Sequence, residues 1–434
     1  LTYYLLIRFG LDKKLSFFYS ICFAILAYPS SGTPFVDHHS TFLSIIALYA
    51  LIISINTNKF FHWFLIPIFM FFAFLSKQVP AAYIILSIII ITLIHLTHQN
   101  KKIFFKIILS LTSSSVLLIS SVLFFFKINS VDVENFLTQY ILYPSSLGGQ
   151  RYTSISYDFK NVFLNFKFIY LALVILFFLC LKSINNKKRF YKERSFQIFL
   201  VNFFLFVSLV QHMIVTKNQI YIFFLIPIFL AFAHLQLIKL NINFKNILSV
   251  FLVLFCVSIT IKYHFRFNVD RKFHELDNIN FSNAVRGETI HKKFKGLNWA
   301  VPIKHRKIRA NLDVAFLKSF IDVLQSDKSR KMVITNYSFF SVISDQNVSS
   351  YSRWYPGDSS AFPKKGDKYY GSYKKFIITS LKLRETETIY VLPDVSETNV
   401  INYIDANCFK KEEINNKIMK FKINSKCEEF SNLQ

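Results

Sequence analysis

Nine apolar runs, several of them of the length that crosses a bilayer, dominate this chain and leave few folds open to it. They fall near 15–29, 38–55, 60–76, 79–97, 103–126, 163–181, 195–215, 219–238 and 244–263. A hydrocarbon core of about 30 Å takes about 20 apolar residues in a helix. Inside it a chain must satisfy its own backbone groups, so runs of this kind read as helices. A tenth run, Leu1 to Ile7, reads as the tail of a helix. With Leu at position 1 and no signal-peptide pattern, the expectation is an N-terminally shortened fragment. A hydrophobic content of 53%, 52 Phe and a mean hydropathy of +0.37 exclude an ordinary soluble domain. The fold class expected is a polytopic α-helical membrane protein of about nine to ten transmembrane helices, with a small C-terminal extracytoplasmic α/β domain.

Orientation follows from the cations of the short loops. One alternate set holds Arg8, Lys13 and Lys14; Lys59; Lys101 and Lys102; Lys182, Lys187, Lys188, Arg189, Lys192 and Arg194; and Lys239 with Lys245. The other set is poorer, with Lys77, Lys127, Arg151, Lys160 and Lys217. Cytoplasmic loops carry the excess of Lys and Arg, which places the first set inside. The loops around Asp37, Lys77, 127–162 and Lys217 then lie outside, as does everything after about residue 264. The expected location is the plasma (inner) membrane of a bacterial-type cell. The net charge of +26 combines these anchors with a Lys-rich tail. That tail either attracts anionic lipid or a phosphorylated substrate, or reflects a genome rich in Lys, Asn, Ile and Phe codons. No interleaving of basic and aromatic residues points to nucleic acid.

Three divisions are expected: a transmembrane domain over 1–264, a basic linker over 265–310, and an α/β domain over 311–434. In the last, Leu312, Phe316, Phe320 and Leu324 with Leu317 and Ile321 predict an amphipathic helix. Residues 332–335, 389–392 and 419–423 predict strands, and 397–406 a short helix. Cys22, Cys180 and Cys256 fall in apolar runs as packing residues. Cys408 and Cys427 both lie in the tail, where an extracytoplasmic setting favours a Cys408–Cys427 bridge over two free thiols. No CxxC or Cys/His zinc spacing is present.

The polar groups worth chemistry gather on the outer loops. Asp37-His38-His39 stands at the start of an apolar run, where ionisable groups are costly and suggest a site. The alternative is a carboxylate that caps the following helix beside two locally bonded histidines. Lys77 and Arg151 are outer-loop cations that suit a donor phosphate, or else snorkel to lipid headgroups. Gln78, Tyr152, Asn218 and Gln219 are candidates for sugar or acceptor hydroxyls. Tyr140, Tyr143 and Tyr152 can stack on a sugar or form an interfacial aromatic belt. Arg353-Trp354-Tyr355-Pro356-Gly357-Asp358 is either an acceptor platform or packing inside the small domain. His212, beside Gln211, lies near the outer boundary of its run.

Three stretches resemble the GT-C superfamily of integral-membrane glycosyltransferases, which includes protein O-mannosyltransferases, lipid A aminoarabinose transferases and oligosaccharyltransferase catalytic subunits. Asp37-His38-His39 resembles the second acidic motif of the oligosaccharyltransferases. Phe72 to Pro80, reading Phe-Ala-Phe-Leu-Ser-Lys-Gln-Val-Pro, resembles the Leu-Thr-Lys-Gly-Pro stretch of the other two groups, with Gln78-Val79 in place of Gly. Asn218-Gln219-Ile220-Tyr221 running into Leu225-Ile226-Pro227 resembles their late helix start, with Gln219 in place of Arg. The resemblance spans roughly residues 1–240. It implies a polyprenyl-phosphate-linked sugar donor, an extracytoplasmic glycan, lipid or protein acceptor, and catalytic roles for Asp37, His38 and His39. It also implies an acidic residue in a first outer loop that would lie upstream of Leu1. Asp37 and His39 would share a divalent ion, and oxygen with imidazole suits Mn²⁺ or Zn²⁺ better than Mg²⁺. The rival enzyme reading is a polysaccharide polymerase or ligase of the cell envelope, and the non-enzymatic one a transporter or scaffold.

Overall fold

The structure, a computed structural model, describes the chain except for residues 29–35, 154, 156, 185–186, 217–220, 271–278, 280, 301–309, 345–347, 353–354, 356–360, 415–416, 425, 428–429 and 431–434. It separates into two compact units. One is Leu1–Asn129 with Arg151–Asp277, and the other is Ser130–Gln150 with Asn278–Gln434.

All nine apolar runs form helices in the first unit. After the seven-residue α1 (Thr2–Arg8) come α2 (Lys13–Leu26), α3 (Val36–Thr57), α4 (Phe60–Ser76), α5 (Gln78–Leu96) and α6 (Lys101–Ile128). Then follow α7 (Lys167–Lys182), α8 (Arg194–Thr216), α9 (Leu225–Lys239) and α10 (Lys245–His264). Among the described residues, seven helical stretches are long and apolar enough to cross a membrane. They are α3, α5, α6, α8 and the stretches Phe159–Lys182, Ile222–Lys239 and Lys245–Val269. The polytopic helical class holds, with seven helices of spanning length rather than nine or ten. At 17 and 14 residues, α4 and α2 fall short of that length. Local chemistry sets the starts: the Asp12 side chain accepts from the Lys14 and Leu15 amides, and Asn100 accepts from Ile103.

Burial orders the helices. Every residue of α9 from Leu225 to Leu237 is buried, so α9 is the axis of the bundle. By contrast α6 exposes Phe104, Phe105, Leu109, Leu117, Phe124 and Phe125, a face suited to hydrocarbon rather than water. Some polar side chains inside the bundle pair with one another. The two ring nitrogens of His234 meet the hydroxyls of Tyr19 (3.1 Å) and Ser249 (2.8 Å), and the Gln236 carbonyl accepts from Ser195 (2.8 Å) and Ser183 (3.2 Å).

The second unit holds a five-stranded sheet of order β4-β3-β5-β7-β6, built from β3 (Lys331–Ile334), β4 (Val348–Ser349), β5 (Thr388–Val391), β6 (Phe409–Ile414) and β7 (Ile418–Ile423). The first three strands of that order are parallel, and β7 runs antiparallel to both its neighbours. Alternation along the strands feeds two cores. Val333, Tyr390 and Ile418 pack with α11 (Ala310–Ser326), while Met332, Ile334, Ile389, Val391 and Phe421 pack with α12 (Tyr370–Leu383).

Two expectations change here. The stretch read as a linker contains a small antiparallel pair, β1 (Val285–Arg286) and β2 (Asn298–Trp299), and Ile290 joins the core under α11. Trp299 Nε1 donates to Asp313 Oδ2 at 2.6 Å, so residues 285–299 are part of the sheet unit, whereas Phe265–Val269 continues α10 in the helical unit. On α11 itself the buried row is Val314, Leu317, Phe320, Ile321 and Leu324, whereas Leu312 is exposed. Steps of four residues advance about 400°, so a row of them drifts around the helix and carries Leu312 about 120° from Leu324.

Cys408 and Cys427 are joined by a disulfide, with Cα atoms 5.3 Å apart, and both are buried in the α12-side core. The bridge closes a loop with a sequence separation of 19. Replacing both by serine is expected to lower the stability of this unit by about 3 kcal/mol, read as an earlier unfolding transition of the full chain. Tyr355 is also buried there, and its amide donates to Asn336 Oδ1 at 3.0 Å. It serves packing, and its neighbours Arg353, Trp354 and 356–358 lie outside the described residues.

A second prediction concerns acid. Burial opposes ionisation of Asp327, but hydrogen bonds from Tyr390, from Ser329 and from Lys420 (3.1 Å) outweigh it and hold the carboxyl below its ordinary range. A carboxyl depressed in the folded state stabilises above the unfolded value of about 4, and that contribution is lost as pH falls toward the folded value. The sheet unit is therefore expected to weaken on acidification below about pH 4. Asp327→Asn should flatten that slope in thermal unfolding measured across pH; an unchanged slope would remove Asp327 as its source.

Candidate functional site

Asp37 occupies the first turn of α3, where a carboxylate complements the free amides of the helix start. It is only 2% exposed, so it needs compensating partners. Two come from elsewhere in the chain. The Lys77 ammonium stands 3.3 Å from Asp37 Oδ2, and His212 Nε2 stands 3.5 Å from Asp37 Oδ1.

Each partner is placed by its local sequence. Helix α4 stops at Ser76, and Lys77 is extended, with φ −158°. Pro80 keeps Val79 out of the helical region (φ −117°, ψ 129°), so the link into α5 stays open at this point. Ser40, one turn into α3, donates to the Lys77 carbonyl at 3.0 Å and ties that link to the helix carrying Asp37. Thr41 donates to the Asp37 carbonyl at 2.7 Å. His212 lies one turn before the end of α8 and is fully buried. At 3.5 Å its contact with Asp37 is electrostatic rather than a well-formed hydrogen bond.

The cluster joins the start of α3, the α4–α5 link and the end of α8, which lie at one end of the helical unit. Residues of the opposite helix ends meet elsewhere: His95 Nε2 contacts Asn58 Oδ1 at 3.1 Å, and the Arg194 guanidinium lies 4.7 Å over the Phe9 ring.

Of the residues singled out from sequence, Asp37 and Lys77 are brought together. His38 is buried with its ring against Phe42 (centroids 6.1 Å apart), and His39 is exposed. Gln78 is half-buried at the first position of α5. Arg151 and Tyr152 belong by backbone to the helix Tyr143–Thr153, but their side chains lie outside the described residues, as do Asn218 and Gln219 altogether. Tyr143 is buried, with Tyr369 edge-on at 6.2 Å, so it packs within the sheet unit instead of offering a free ring. Sequence reasoning noted His212 but gave it no role. The available signal was an imidazole one turn from the outer end of its run.

The pair Asp37 and His39 does not fit a shared divalent ion. Residues two apart on a helix point about 200° away from each other, and here one faces inward and the other outward. Among the described residues, no three or more His, Cys, Asp or Glu side chains are grouped as ligands.

Each unit has a concavity of its own. An apolar groove of about 500 Å³ runs between α4, α5 and α6, lined by Ile66, Phe71, Phe74, Ile88 and Leu111 among others. It reaches Phe74, three residues before Lys77. In the sheet unit a cleft of about 930 Å³ borders Arg330, Thr335, Tyr337, Ser350 and Arg384.

No protein-family model, curated protein or solved structure matches this chain. What it does must be argued from its own residues.

Proposed function

We propose that the chain is a membrane glycosyltransferase that moves a sugar from a polyprenyl-phosphate donor to an extracytoplasmic glycan, lipid or protein. The observation that carries this reading is the buried Asp37–Lys77–His212 cluster at one end of the helical unit. The side-chain surface of Lys77 is 34% exposed, so its ammonium can meet an anion while it remains paired with Asp37. In glycosyl transfer an acceptor oxygen bonds to the anomeric carbon as the bond from that carbon to the phosphate oxygen breaks. The electron pair leaves with the phosphate and the acceptor proton must be taken up. Lys77 is the cation placed to stabilise the departing phosphate. Asp37 fixes Lys77 from one oxygen and faces His212 with the other, and is the carboxylate available at the cluster for the proton. The groove between α4, α5 and α6, about 500 Å³ and lined as far as Phe74, one turn before Lys77, is apolar and suits isoprenoid units. The proposed setting, from the loop charges, is the plasma membrane with this end of the bundle and the sheet unit outside.

The test is genetic and chemical together. Envelope glycans, lipids and proteins of cells lacking the gene are compared by mass spectrometry with cells complemented by the wild-type or Lys77→Met chain. The expected result is loss of a glycan modification that wild type restores and Lys77→Met does not. An unaltered glycan profile in cells lacking the gene would overturn the proposal.

A further inference from the structure

We infer that Lys77 is the fixed counter-cation of Asp37, so that this carboxylate is not a ligand of a divalent metal. Carboxylates at glycosyl-transfer sites are commonly thought of as metal ligands, because a departing phosphate needs positive charge beside it. Here that charge is already supplied by the chain. The ammonium stands 3.3 Å from Asp37 Oδ2, and its backbone is fastened to α3 by the Ser40 bond to the Lys77 carbonyl. A divalent ion on Asp37 would sit against this ammonium and be repelled by it, beside a carboxylate that is itself nearly closed to water. The second oxygen faces His212, whose ring is fully buried, so an ion there would gain one imidazole and no water on that side. His39, the imidazole nearest in sequence on the exposed side, faces away. Mn²⁺, Zn²⁺ and Mg²⁺ all need four or more ligands, and the described residues around Asp37 offer two.

The inference does not need the transferase reading, and its test uses no transfer. The full chain in detergent is titrated with Mn²⁺, and bound metal is counted by electron paramagnetic resonance for the wild type and for Asp37→Asn. The expected result is the same number of bound ions per chain in both. Loss of one equivalent in Asp37→Asn would overturn the inference. If Asp37→Asn does not fold, the double variant Asp37→Asn/Lys77→Met removes both charges together and makes the same comparison. A second reading comes from thermal unfolding. Lys77→Met alone is expected to lower the midpoint, and Asp37→Asn in the same chain to restore part of the loss. A midpoint that Lys77→Met leaves unchanged would mean that the ammonium is not the partner of the carboxylate.

Discussion

A chain carrying Asp37→Ala is expected to lose roughly 10²–10³-fold in sugar transfer, the scale of removing one electrostatic element from a preorganised site. Two groups lose their partner at once. Lys77 no longer has a carboxylate to hold its ammonium at the cluster, and His212 is left buried without the carboxylate that faces it. Breaking a fully buried pair costs about 3–5 kcal/mol. Since Lys77 is one-third exposed and can turn toward water, a figure of about 1–3 kcal/mol is the reasonable expectation here. Asp37→Asn separates the two effects, because it keeps the shape and removes the charge. It should retain most of the stability and little of the transfer. A full-rate Asp37→Asn chain would leave the cluster with a structural role only.

Phe320→Ala is expected to cost the sheet unit about 3–5 kcal/mol, near the whole stability of a small domain. Phe320 is fully buried on the inner face of α11. Its ring meets Phe340 edge-on at 5.0 Å and Tyr390 of β5 at 5.8 Å. The cavity left by its removal would lie between helix and sheet, where rigid strands limit collapse. Thermal or denaturant unfolding of the full chain checks this, and Leu312→Ala is the control. Leu312 is exposed, so its loss should be nearly silent.

Those two positions also show how far the sequence could be read. Both were assigned to one apolar row, and only Phe320 belongs to the core. The helix was legible because its pattern is amphipathic; its orientation was not, because a row of four-residue steps drifts about 40° around the axis at each step. The long apolar helices were legible because their runs are long and uninterrupted, and length separates the seven stretches that could span a membrane, among the described residues, from α2 and α4. At the site, the nearness of Asp37 to Lys77 was not visible. Nothing in either segment states which residue 40 positions away will face it. The pairing arises because α3 and α4 pack as an antiparallel hairpin, which returns the end of α4 to the start of α3. His212 comes from still further along the chain, and its placement follows from α8 packing against α5 and α3. The metal pairing of Asp37 with His39 does not fit for a local reason, since residues two apart in a motif stand on opposite sides once the segment is a helix.

The sheet unit draws on two stretches of chain, Ser130–Gln150 and Asn278–Gln434, with four helices of the other unit between them. This has a consequence for biogenesis. Ribosomes add about 5–20 residues per second, so the first stretch is made roughly 6–25 s before the second begins to appear. During that interval Tyr143 has no Tyr369 to pack against, and the early stretch must wait unpartnered while α7 to α10 are synthesised. A fragment beginning at residue 278 would carry the strands but not this earlier piece, and would be born with a bare patch where Tyr143 belongs.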